Sequence, residues 1–98
     1  MTEKLPVLDT SLRPSLPRGV RLRQDEVRGR TVLLSPERTM ALEETAVAIV
    51  SRLDGKRTLA EIIDGLAIEY NAPRDVIARD VEAFLKQLLD RRMLEMSV

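Results

Sequence analysis

Ninety-eight residues suffice for one hydrophobic core and are too few for two, and with sixteen basic and sixteen acidic side chains the chain is neutral overall. No apolar run approaches the roughly 20 residues needed to span a membrane, and the N-terminus has no apolar core followed by a small-residue cleavage site, so a cytoplasmic chain without a membrane partner is expected. Cysteine and histidine are both absent. That removes disulfides, thiolate nucleophiles, imidazole bases and nearly every transition-metal ligand set, so the chain is not expected to be an enzyme or to carry a cofactor or metal.

Residues 1–18 contain Pro6, Pro14 and Pro17. Proline removes a backbone donor and disfavours helix at the residue before it, which predicts an extended, poorly ordered arm, with the folded domain running over 19–96.

The segment 20–27, VRLRQDEV, alternates apolar and polar residues at its start; Arg28-Gly29 supplies a turn, and 30–35, RTVLLS, is rich in strand formers. A hairpin is predicted. Ser35-Pro36-Glu37-Arg38 is a second turn signal, after which 39–42, TMAL, completes a three-stranded antiparallel meander. Such a small sheet is marginal alone, so its apolar face must be covered.

Three helical patterns follow. Over 43–53, Ala46, Ile49, Val50 and Leu53 recur at helical spacing, and Asp54-Gly55 stops the run. Thr58 precedes Glu61 by three residues, the spacing of a capping box, and opens a second helix over 59–70 whose face is Leu59, Ile62, Ile63, Leu66 and Tyr70. Asn71-Ala72 makes a turn, Pro73 and Asp75 suit a helix start, and Val76, Ile77, Val81, Phe84, Leu85, Leu88 and Leu89 form the stripe of a long third helix. That stripe is broad enough to leave part of an apolar groove beside the sheet, although a stripe of this kind is more often core throughout.

The fold class is therefore α+β: an N-terminal three-stranded antiparallel sheet packed on three helices, the parts of a winged helix-turn-helix. DNA is the usual ligand of that arrangement, and a winged-helix DNA-binding regulator is the alternative reading. Charge argues against it. Residues 13–38 hold seven Arg and three acids, whereas 39–98 hold eight basic and eleven acidic groups, and the second helix carries Glu61, Asp64 and Glu69 with no base. Helices of that sign do not neutralise phosphates, and Tyr70 and Phe84, the two aromatics, both fall on predicted buried stripes, so no nucleic-acid partner is expected. The basic sheet segment suits either solvated strands or attraction of an acidic ligand.

Leu42-Glu43-Glu44-Thr45, then Ile49, then Leu53-Asp54-Gly55-Lys56-Arg57-Thr58-Leu59-Ala60-Glu61-Ile62, and finally Asp80-Val81-Glu82-Ala83-Phe84-Leu85, resemble the PqqD family. The likeness covers residues 17–96 and leaves the proline-containing arm outside. Glu43 departs from it, since these proteins often have asparagine there, though an acid still suits the start of a helix. The resemblance implies a peptide chaperone in pyrroloquinoline quinone biosynthesis. It would be a recognition element for ribosomally made, modified peptides that binds the precursor PqqA and presents it to the radical S-adenosylmethionine enzyme PqqE, which joins a Glu to a Tyr. It further implies that the peptide adds as a strand beside the third helix, a mode in which backbone groups give affinity and alternate side chains give specificity. Carried onto this chain, the peptide would lie against Arg38, Thr39, Met40, Ala41 and Leu42. Ile77, Val81, Phe84 and Leu85 would form the wall, and Arg38 and Arg74 would meet acidic side chains. A docking subunit that touches only the enzyme is a third reading, and an open strand edge also admits a second copy, giving a homodimer at high concentration.

Overall fold

The computed structural model describes residues 8–98. In chain order the elements are β1 (Arg13–Ser15), β2 (Arg21–Asp25), β3 (Arg30–Leu34), β4 (Thr39–Leu42), α1 (Glu44–Val50), α2 (Leu59–Glu69), α3 (Arg74–Asp90) and β5 (Glu95–Ser97). β2, β3 and β4 form the predicted antiparallel meander, with β3 central and β2 and β4 at the edges. The α+β architecture expected from the sequence, a three-stranded sheet packed on three helices, is the architecture observed.

Register decides which side of that sheet is buried. Leu22, Leu33 and Met40 stand opposite one another across the three strands, and Leu33, fully buried, carries this face onto the helices. The other face holds Arg21, Leu34 and Thr39 in one row and Arg23, Val32 and Ala41 in the next. Beneath the sheet, Ile49, Val50, Leu59, Ile62, Ile63, Leu66, Val81, Leu85 and Leu88 make one core. At about 1.5–3 kcal/mol for each fully buried large aliphatic side chain, this burial is the main force holding sheet to helices.

The helix boundaries follow from their caps. At α2 the Thr58 hydroxyl accepts from the Glu61 amide at 3.1 Å, and the Glu61 carboxylate accepts from the Thr58 amide at 2.8 Å, completing the predicted box. α2 and α3 both end in a Schellman motif: Ala72 N–H donates to Ala67 O and Met93 N–H to Leu88 O, six residues to one. The αL residues these motifs need are Asn71 (φ 49°) and Arg92 (φ 58°). Asparagine tolerates that conformation, whereas arginine takes it at a cost. α1 stops at Val50, short of the predicted Leu53, because Arg52 and Leu53 donate to Ile49 and Val50, tightening the last turn to three-residue hydrogen bonds.

Two features differ from the sequence reading. Tyr70, expected on the buried stripe of the second helix, is the C-cap and is 38% exposed, because the Schellman turn carries the chain away from the core there. The segment expected to be an extended, poorly ordered arm is extended at β1 but docked. β1 pairs with β5, a strand the sequence reading did not contain, and Pro14 is fully buried. Leu59 and Ala60, the first two amides of α2, donate to the carbonyls of Leu12 and Thr10 at 2.8 and 2.9 Å. Those amides have no intrahelical acceptor, so the preceding segment supplies one. Leu8 N–H reaches the Glu82 carboxylate at 3.1 Å. Residues 1–7 of the predicted arm lie outside the described residues.

The loop between α1 and α2 fastens this segment. Asp54 accepts from the amides of Lys56 and Arg57, both at 2.9 Å; Gly55 (φ 74°) donates to Pro14 O at 2.9 Å and packs on Ser15; Arg13 Nε donates to Lys56 O at 3.0 Å. The run from Asp54 to Glu61, distinctive in the sequence, is thus a structural clasp: one aspartate to shape the turn, one glycine for its left-handed residue, one box to start α2.

Candidate functional site

A groove runs between the open edge of β4 and the helices. Met40, Ala41 and Leu42 form one side, Thr45, Ala46 and Ile49 of α1 its floor, and Asp80, Phe84, Gln87 and Arg91 the other side, with a volume of about 500 Å³. Asp80, Phe84, Gln87 and Arg91 follow one another by four, three and four residues, a single stripe of the helix spanning about 16 Å along its axis. The groove continues at one end into a narrow cleft beside Tyr70 and Ile77, and at the other, past Arg91, into a depression of about 410 Å³ that includes Arg38.

The hydrogen-bond phase of β4 can be read from its hairpin. Ser35 N–H donates to Arg38 O at 2.9 Å, so these two form a hydrogen-bonded pair. In an antiparallel ladder such pairs alternate. Leu33–Met40 and Thr31–Leu42 are then bonded pairs, and the N–H and C=O groups of Thr39 and Ala41 point away from β3 along the open edge. Thr39 and Ala41 are exposed, whereas Met40 and Leu42 turn their side chains towards the core.

Of the residues expected at a binding site, Met40, Ala41, Leu42 and Phe84 meet in the groove, with Thr39 and Arg38 leading into it. Ile77 and Val81 line the narrow cleft, and Leu85 is fully buried beneath. Phe84 is half-buried rather than enclosed. Arg74 is elsewhere: its guanidinium is ion-paired with Asp64 of α2. Gln87, Asp80 and Arg91 were not singled out from the sequence. Counting four, seven and eleven residues from Asp80 would have found the last of them, but nothing local says which polar stripe of α3 faces the sheet edge.

The basic residues of 13–38 do not form one patch, and Arg13 is taken up by the α1–α2 loop. Arg21 and Arg23 stand with Val32, Leu34 and Ala41 on the outer face of the sheet, and Arg38 sits at the groove end. The exposed side of α2 shows Glu61, Asp64 and Glu69 and no basic residue of its own, with Asp64 and Glu69 each paired to an arginine of a neighbouring segment. Among the described residues no helix is long and apolar enough to cross a membrane, and no group of His, Cys, Asp or Glu could hold a metal ion.

Residues 30–94, from the start of β3 to the end of the core, match the family described as "Coenzyme PQQ synthesis protein D (PqqD)". The chain belongs to the PqqD family. It is 52% identical over 95 residues, 97% of each chain, to a "PqqA binding protein" of Rhizobium meliloti. It is 46% identical over 82 residues to a "Bifunctional coenzyme PQQ synthesis protein C/D" of Methylorubrum extorquens, covering 84% of this chain and 22% of that longer one. Among solved structures it is similar to the PqqD truncation of Methylobacterium extorquens PqqCD, described as a functional and stand-alone recognition element for ribosomally synthesised and post-translationally modified peptides. The two share 42% identity, with a TM-score of 0.76 and coverage of 92% and 95%. The PqqD resemblance read from the α1–α2 loop and the third helix is therefore correct, and the fold agrees with the solved family member.

Proposed function

We propose that this chain is a non-catalytic peptide adaptor of pyrroloquinoline quinone biosynthesis that binds the precursor PqqA as an added strand on β4 and presents it to PqqE. The observation that carries the reading is the open edge of β4, with two residues' worth of unpaired backbone donors and acceptors directed into a groove walled by α3. Four backbone hydrogen bonds along Thr39 and Ala41 would hold the peptide, and Phe84, Leu42 and Ala46 would receive its apolar side chains. The names of the relatives, PqqA binding proteins, support the same ligand.

Titration of isotopically labelled protein with PqqA tests the site. Saturable amide shifts should cluster on residues 38–42 and on α3 between Asp80 and Arg91; shifts confined to α2 or the outer sheet face would refute strand addition. Presentation is tested by the rate at which PqqE forms its Glu–Tyr cross-link in PqqA, which should fall when this chain is omitted. An unchanged rate would eliminate the presenting role while leaving peptide binding intact.

A further inference from the structure

The groove has charged ends of opposite sign. At the end where β4 enters α1, Glu43 and Asp80 line it. At the other end, the depression beyond Arg91 gathers Arg18, Arg38, Arg91 and Arg92 against Glu37 and Asp90. Among the described residues none of these four guanidiniums has a carboxylate within 4.0 Å, in contrast to Arg52 and Arg74, which are paired with Glu69 and Asp64. The Arg91 guanidinium donates to the Gln87 carbonyl of its own helix, at 3.4 Å. The negative end of the α3 dipole lies here too, but its half charge offsets only a fraction of the local positive excess.

We propose that this gradient orients the bound peptide and selects one with acidic residues just C-terminal to its strand segment. The inference rests on strand addition at β4. Antiparallel pairing is the more stable per residue, and it sets the peptide's N-terminal side beside Glu43 and Asp80 and its C-terminal side beside Arg38 and Arg91. The 16 Å from Asp80 to Arg91 holds roughly five extended residues, so carboxylates one to three positions beyond that stretch meet the guanidiniums. Those contacts are exposed, so they choose polarity more than they add affinity.

Two short synthetic peptides with the same apolar alternating core test this. One carries Lys-Lys before the core and Glu-Glu after it; the other has the two pairs exchanged. With the full-length wild-type chain, the peptide with C-terminal acids should bind roughly three- to tenfold more tightly, as expected for a few exposed ion pairs, and high salt should erase the difference. The double variant R38E/R91E, both exposed sites whose folding is checked by circular dichroism, should reverse the preference. Equal binding, or the opposite preference, with amide shifts still on Thr39 to Leu42 overturns the polarity and leaves strand addition standing. If neither peptide shifts those amides, strand addition itself fails.

Discussion

Replacing Ala41 by proline separates the free edge of β4 from its role in the sheet. The Ala41 N–H points away from β3, so proline there removes a donor that the fold does not use, and edge strands accept proline where the amide faces outward. Met40, the preceding residue, is already extended, as an X-Pro dipeptide requires. The stability cost should stay below about 1 kcal/mol. A bound peptide, however, loses one hydrogen bond worth about 0.5–1.5 kcal/mol and keeps a partly buried carbonyl with no donor, a further penalty of similar size. The sum of about 1–3 kcal/mol corresponds to a roughly 5- to 150-fold rise in Kd for PqqA by calorimetry. Met40→Pro is the contrasting variant: its N–H bonds to Leu33 and its side chain packs on the core, so it should lower stability by about 2–4 kcal/mol in urea unfolding. Unchanged PqqA affinity in a folded Ala41→Pro variant would refute the assignment of the β4 edge.

Three further outcomes follow from features away from the groove. Arg92→Gly relieves the left-handed strain at the end of α3 and should raise stability by about 0.5–1 kcal/mol, seen as a rise of a few degrees in Tm; a fall would mean that the side chain of Arg92 stabilises the fold. Removing residues 1–12 takes the acceptors from the Leu59 and Ala60 amides and should cost about 1–3 kcal/mol, nearer the low end since water replaces part of the loss; an unchanged urea midpoint would contradict this. The carboxyl of Asp54 is held below its ordinary value by the amides of Arg57 and then Lys56. A lowered folded pKa means that the unfolded chain takes up the proton first, so this contribution is complete at neutral pH and is lost as pH falls below about 4 towards the folded value. Asp54→Ala should therefore flatten part of the acid slope of stability; an unaltered slope in unfolding below about pH 4 would count against the clasp.

Much of the fold was legible because it is encoded locally. The hairpins are marked by turn residues, the capping box by Thr58 and Glu61, and α2 and α3 by stripes that need only short-range periodicity. β1 and β5 escaped because strands of three residues have no measurable period, and Pro14, a mark of extended chain, gives no hint of burial between Arg13 and Ser15 against a strand at the far end of the sequence. The site divided along the same line. The edge strand could be found from its turns, while the partner of each arginine is a tertiary fact: Arg74 goes to Asp64, and Arg91 is left facing the groove.

With Arg13 beside Ser97, the chain from one to the other is a closed ring drawn shut by three rungs of sheet. Closing a ring of this length costs about 4 kcal/mol of chain entropy, more than three short rungs return, so β1 and β5 can pair only on a core already formed. Pro14 turns its carbonyl to Gly55, so Glu95 and Ser97 carry the β5 amides that face β1, and slow exchange at those two would then gauge completion of the whole molecule. A linker from Ser97 back to Arg13, with the chain reopened in the exposed turn around Val27, would give a permuted protein in which the β1–β5 pairing is tied covalently and the β4 edge is untouched.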